Sequence, residues 1–149
     1  MENKVQKRQA DRLIFFGLLL FLVGLLIGLF VHQMKNPRMA LSAHLEGIMN
    51  GMFLMILGLI WERLLLSKSQ LKITYWLVIY GTLTNILAVL IAAVTGFGKM
   101  MPIAGGSEGT GIAESMISFL LISLSLCMLI VCFFVLLGFF KNMKSNSNE

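Results

Sequence analysis

Residues 13–31 read LIFFGLLLFLVGLLIGLFV, nineteen positions without a charge or a polar side chain. At 1.5 Å per residue such a helix covers roughly 28 Å, the thickness of a bilayer's hydrocarbon. The run is continuous rather than alternating, which favours a helix over a barrel strand. Three further stretches of the same kind follow, at 39–66, 73–95 and 117–140. Together they use most of the 149 residues, of which 58% are hydrophobic and 13% charged. An ordinary soluble domain keeps about a quarter of its residues charged. The expected fold is therefore all-α, an integral membrane four-helix bundle forming a single domain over residues 1–149. The first span resembles a secretory signal in following Lys4, Lys7, Arg8 and Arg12. Its apolar core is too long for one, however, and no small-x-small cleavage site comes before Asn36-Pro37, so it is expected to stay as a span.

The formal charge of +5 is explained by topology. Lys4, Lys7, Arg8 and Arg12 precede the first span, Arg63, Lys68 and Lys72 join the second to the third, and Lys141 and Lys144 follow the fourth. The opposite side holds only Lys35, Arg38 and Lys99. This asymmetry places both termini in the cytoplasm and leaves no basic patch to assign to nucleic acid.

The second span opens with ALSAHLEGIMNG, residues 40–51, a crowd of polar groups inside an apolar run. On a helix starting near Met39, Glu46 lies about 10 Å deep. An ionisable group there costs roughly 2.5–3.5 kcal/mol on insertion scales, so it should face the bundle interior. Ser42, Glu46 and Asn50 form one stripe at four-residue spacing. His44 tops an adjacent face that continues through Gly47, Gly51, Met55 and Gly58. Taken alone, His44 reads as a packing histidine and the small residues as helix glue. Histidine, glutamate and asparagine together in one span read as a functional site.

The remaining spans add less. In YGTLTN, residues 80–85, Tyr80 and Thr84 share a face, and Asn85 is deep enough to need a partner, with Glu46 or Tyr80 as candidates. Thr82 and Thr84 bond readily to their own helix. Gly24 and Gly28 form a GxxxG that lets another backbone approach. Pro37 suits a helix's first turn with Asn36 as its cap. His32 is expected to be solvated, the serines of the fourth span to pack, and Glu114 to cap or rim the loop before it. That loop, GFGKMMPIAGGSEGTG at 96–111, has six glycines in 16 residues and reads as flexible, either a lid or an idle connection. Cys127 and Cys132 point to different sides of one helix and suit neither a disulfide nor a metal pair. The tail SNSNE, residues 145–149, is expected to be disordered. No soluble-enzyme motif is present, and one histidine cannot hold zinc tightly. It can, however, be the sole protein ligand of a haem iron.

NPRMALSAHLEGIMNGMFLMILGLIW resembles the second span of bacterial hydroxylaminobenzene mutases, and YGTLTNILAVLIAAVTGFGKMMPIAGG resembles their third span and the loop after it. More distantly, the chain is similar to styrene oxide isomerase through a histidine followed six residues later by Asn-Gly, here His44, Asn50 and Gly51. That second resemblance implies a homo-oligomer, a trimer, with haem b near subunit interfaces. His44 would be the axial ligand of a ferric Lewis acid, and Asn50 would position the substrate oxygen. The chain departs from it at Tyr80, where the isomerase has an aspartate, at Ala88, near its catalytic tyrosine, and at Glu46, which has no acidic counterpart. The first resemblance implies a mutase in the bacterial cytoplasmic membrane that turns a small lipophilic aryl hydroxylamine into an ortho-aminophenol. Glu46, Asn50, Tyr80 and Asn85 are the expected catalytic groups. His44, as metal ligand, with Gly47 and Gly51 forms the expected cofactor set. A Lewis acid at His44 or a proton from a desolvated Glu46 would break the N–O bond. The alternatives are an epoxide isomerase, a proton-coupled transporter using Glu46, and a non-catalytic haem or packing subunit.

Overall fold

Four long helices dominate the computed structural model, which describes residues 2–109 and 111–147, residues 2 and 3 without their side chains. They are α1 (Glu2–Leu29), α2 (Pro37–Ile60), α3 (Lys68–Thr95) and α4 (Ile112–Asn146). All four are long and apolar enough to cross a membrane. Among the described residues the β-type pairing is a single bridge between Phe97 and Ser107, so the all-α expectation holds.

The helix ends differ from the apolar runs. Helix α1 begins at Glu2 instead of Leu13, and α4 spans Ile112–Asn146 instead of 117–140. Lys, Arg, Gln and Glu are good helix formers, so a helix does not stop where hydrocarbon does. The second span is shorter than its apolar run. Helix α2 stops at Ile60, a 3₁₀ turn occupies Trp61–Arg63, and Leu65 leaves the helix to donate its N–H to the Gly138 carbonyl at 3.2 Å. Ser145 and Asn146 of the polar tail continue α4. Its disorder was expected through 149, and residues 148 and 149 lie outside the described residues.

Helix α2 sits between α1 and α3, and α4 lies against α3. Glycines make the α1–α2 contact close. A Cβ built on Gly51 would lie 2.7 Å from the Gly17 carbonyl oxygen, and one on Gly24 would lie 2.7 Å from the Ile48 nitrogen. Only helices without side chains at these points can approach so nearly. Leu13, Leu20, Leu54, Leu57, Val78 and Val131 fill the main core, while Met39, Ala40, Ala92, Ala93 and Ile117 pack the end near the glycine-rich loop. Asn36 organises that end as its cap position suggests. Its Oδ1 accepts from the N–H groups of Arg38 and Met39, its Nδ2 donates to the carbonyls of Ala104 and Gly105, and its backbone N–H donates to Ala93.

The glycine-rich connection is folded, which corrects the expectation of a flexible segment. Across the bridge the Gly98 N–H donates to the Ser107 carbonyl and the Ser107 N–H to the Gly96 carbonyl, a 3₁₀ turn forms at Pro102–Ala104, and Glu114 closes the loop from α4. Glu114 is 4% exposed. Its carboxylate accepts from the N–H groups of Gly98 at 3.0 Å, Lys99 at 3.1 Å and Gly109 at 3.2 Å. The rim role expected for Glu114 becomes a tether. Glu114→Gln turns one acceptor into a donor facing backbone donors, at a cost of about 1–3 kcal/mol for a buried polar mismatch. Tryptic cleavage after Lys99 is expected to accelerate by about tenfold or more in the variant, since local opening governs such cutting. An unchanged cleavage rate would show that the carboxylate does not hold the loop.

Candidate active site

Two polar centres form on α2, and they point to different neighbours. His44 and Glu46 are two residues apart, about 200° around the helix. His44 therefore faces α1 and Glu46 faces α3. The sequence names both residues; the structure separates them within one chain.

On the α3 side, Asn85 Nδ2 donates to Glu46 Oε2 at 2.5 Å. This settles the choice of partner for Asn85 in favour of Glu46. Both side chains are half-buried, and the bond ties the middle of α2 to the middle of α3. Asn50 follows Glu46 by one turn on the same stripe. Its Nδ2 is buried and makes no hydrogen bond among the described residues. An unpaired buried amide costs about 1–3 kcal/mol, so its N–H is a donor available to an incoming oxygen. Among the described residues the other buried atom of this kind is Ser118 Oγ on α4, on a serine that sequence reasoning assigned to packing.

Tyr80 stands apart from this group. Its hydroxyl pairs with Ser123 Oγ of α4 at 2.8 Å, and the side chain is 39% exposed. Tyr80 and Asn85 are five residues apart, about 140° around α3, so the same helix shows them to different neighbours. The threonine expectation holds at Thr82, whose Oγ1 bonds back to Val78 at 2.8 Å.

On the α1 side, His44 Nδ1 lies 2.8 Å from the Gly24 carbonyl oxygen. A carbonyl accepts only, so Nδ1 is the donor of this bond, and in the neutral tautomer Nε2 presents its lone pair. This is the arrangement that prepares a histidine for a metal, the second nitrogen being fixed by a backbone oxygen. The ring rests on Gly28, where a Cβ would come within 2.7 Å of Nδ1. Sequence reasoning saw the GxxxG as a packing pair. It missed that Gly24 supplies the carbonyl that orients His44 and Gly28 the space for its ring. The groove expected beneath His44 is filled by α1: Gly47 and Gly51 are buried against the backbones of Gly24, Gly17 and Phe21. These two glycines meet a helix, and they serve His44 by letting α1 come near. The bond to Gly24 leaves Nε2 as the nitrogen that could hold a haem iron. Among the described residues no group of three or more His, Cys, Asp or Glu could hold a metal ion.

The two centres thus lie on opposite sides of α2, Glu46 with Asn85 toward α3 and His44 toward α1. His32 is exposed, and both cysteines are free. Known proteins with similar sequences identify the family. The family model described as styrene oxide isomerase matches residues 9–140. Hydroxylaminobenzene mutase HabB of Ectopseudomonas oleovorans is 51% identical over 131 residues, covering 87% of this chain and 80% of its own. Hydroxylaminobenzene mutase HabA of the same organism is 44% identical over 127 residues, covering 84% of this chain and 94% of its own. No solved structure matches the chain. The protein is an isomerase that belongs to the styrene oxide isomerase family.

Proposed function

We propose that this isomerase converts an aryl hydroxylamine into an ortho-aminophenol inside the bacterial cytoplasmic membrane. The printed names of its two relatives support the substrate class. The observation that carries the chemistry is the Glu46–Asn85 pair one turn from the unpartnered Asn50 amide. Asn50 donates to the hydroxylamine oxygen, and the Glu46 carboxyl delivers a proton to it. The N–O bond breaks heterolytically, the departed oxygen bonds to the ortho carbon as water, its extra proton returns to Glu46, and the ortho ring proton moves to the nitrogen. Every atom of the substrate reappears in the product, and no net electrons are exchanged. Asn85 holds the Glu46 carboxyl toward the seam. Apolar walls keep water from the electron-poor ring, and the lipophilic substrate arrives through the bilayer.

A second reading of the activation step rests on the His44–Gly24 bond. His44 would hold haem b, and when bound it supplies a Lewis-acidic iron for the substrate oxygen. Because His44 and Glu46 face opposite sides of α2, one substrate meets both only across a subunit boundary, which fits a homo-oligomer, with a trimer favoured.

Membranes containing the protein are expected to form 2-aminophenol from phenylhydroxylamine. In ¹⁸O-labelled water the product should stay unlabelled, because the oxygen is held and not exchanged. Absence of product, with proton-driven efflux of lipophilic cations from loaded vesicles instead, would replace the mutase with a transporter. A Soret band in purified wild type that His44→Ala abolishes supports the haem reading. A wild type that is active, lacks the band and is unaffected by added haem leaves activation to Glu46.

A further inference from the structure

We propose that the basic end of the bundle carries a binding site for an anionic phospholipid, between α1 and α3. A cavity of about 610 Å³ opens there, lined by Arg8 and Arg12 of α1 and by Lys68, Lys72, Tyr75 and Trp76 of α3. Arg8, Arg12 and Lys72 have no carboxylate partner among the described residues. A second cavity of about 540 Å³ shares Arg12, Tyr75 and Trp76 with the first and is lined further by Asp11, Phe15, Phe16 and Ile79.

The order of these residues along the helices identifies the occupant. Helices α1 and α3 run in the same direction, so residue number rises with depth on both walls. Arg8, Arg12 and Phe16 follow at four-residue spacing on α1, and Lys68, Lys72 and Trp76 repeat the pattern on α3. Each wall thus reads cation, cation, aromatic from the aqueous edge inward, with about 6 Å between steps. A free phosphate would use the outer steps alone. A phospholipid uses both: its headgroup meets the guanidinium and ammonium groups, and an acyl chain runs along Phe15, Phe16 and Ile79. Basic pockets between spanning helices at the interface suit such headgroups. Trp76 is 60% exposed and edge-on to buried Tyr75, with ring centroids 5.4 Å apart, at the boundary where an indole is favoured. The site is separate from Glu46 and His44, and none of its residues has a part in the reaction proposed above.

Trp76 supplies the test, because the other tryptophan, Trp61, is fully buried. The full-length protein is reconstituted in phosphatidylcholine with small amounts of dibrominated phosphatidylglycerol or dibrominated phosphatidylcholine, and tryptophan quenching is followed. Brominated phosphatidylglycerol is expected to quench at an at least fivefold lower mole fraction, roughly what two or three interfacial cations give. Trp76→Phe should remove the quenching. Arg8→Gln with Lys72→Gln should remove the preference, whereas Lys4→Gln with Lys7→Gln, an equal charge change outside the cavity, should keep it. Equal quenching by both lipids overturns the proposal. So does equal loss in both double variants, which would mean a diffuse surface charge. Displacement of the lipid by inorganic phosphate would indicate a free-anion site. Quenching by neither lipid, with Trp76 cross-linking to a second copy, would assign the groove to a subunit contact.

Discussion

Glu46→Gln is expected to lower 2-aminophenol formation by about 10²–10⁴-fold, the usual contribution of a positioned proton donor, while leaving the bundle folded. Glutamine keeps the acceptor oxygen that receives the Asn85 amide. It keeps the volume and the half-buried position as well. What it loses is the proton. Thermal stability in detergent should therefore change little while turnover collapses, and binding of an unreactive aryl analogue should persist. Glu46→Asp is the complementary variant. It retains the acid but shortens its reach, so activity should fall less than with glutamine. Asn85→Leu removes the group that holds the carboxyl, and should cost both stability and rate. If Glu46→Gln retains full activity while His44→Ala is inactive and colourless, proton donation is excluded and activation belongs to His44. The two variants thereby separate the centres that α2 turns toward opposite neighbours.

The features legible in the sequence are the ones whose cause is local. Asn36-Pro37 fixes the start of α2 because the cap acceptor and the missing N–H are neighbours in the chain, and both act there. His44, Glu46 and Asn50 stand out because hydrocarbon penalises polar groups wherever their partners lie. Partner identity is another matter. The Gly24 carbonyl lies twenty residues from His44, and every residue offers a carbonyl, so no side chain marks it. Asn85 was visible as a deep amide needing an acceptor, but the choice of Glu46 over Tyr80 depends on how α3 is rotated against α2. Hydropathy marked the apolar runs and not the helix ends, because it reports lipid contact and α1 and α4 continue past the runs.

The glycine-rich loop shows a different limit. Composition suggested flexibility, and glycine does widen the choice of backbone angles. Gly98, at φ 144°, uses that freedom to turn its N–H toward Glu114. The glycines thus allow a specific fold, and the residue that selects it is sixteen positions away. A lone glutamate before an apolar run looks like a helix cap. Only the three-dimensional path of the loop reveals three backbone donors converging on it.

Gly47→Leu is expected to prevent accumulation of folded protein, the largest stability effect of any single substitution proposed. A Cβ at Gly47 would lie 2.5 Å from the Gly24 Cα and 3.1 Å from the Gly24 nitrogen. Those neighbours are backbone, so no rotamer change can make room and α1 must separate from α2. Overpacking in a tight interior costs about 1–3 kcal/mol even when side chains can adjust; here the cost should exceed about 3 kcal/mol. Separation would also withdraw the Gly24 carbonyl from His44 Nδ1, so residual folded protein should lose the histidine's fixed orientation. Gly81 provides the contrast. Its added Cβ would meet Met128 Sδ at 2.7 Å and Cγ at 3.1 Å, the flexible part of a methionine. Gly81→Ala also gains about 1 kcal/mol of helix propensity, so it should unfold within about 1 kcal/mol of wild type. Gly28→Ala falls between them: its Cβ presses on the His44 ring itself, so its effect should be seen at His44 before it is seen in stability. Unfolding in mixed detergent, with folded yield by size-exclusion chromatography, ranks the three. Equal stability of Gly47→Leu and Gly81→Ala would mean that α1 and α2 do not meet at Gly24, and the orientation of His44 would need another source.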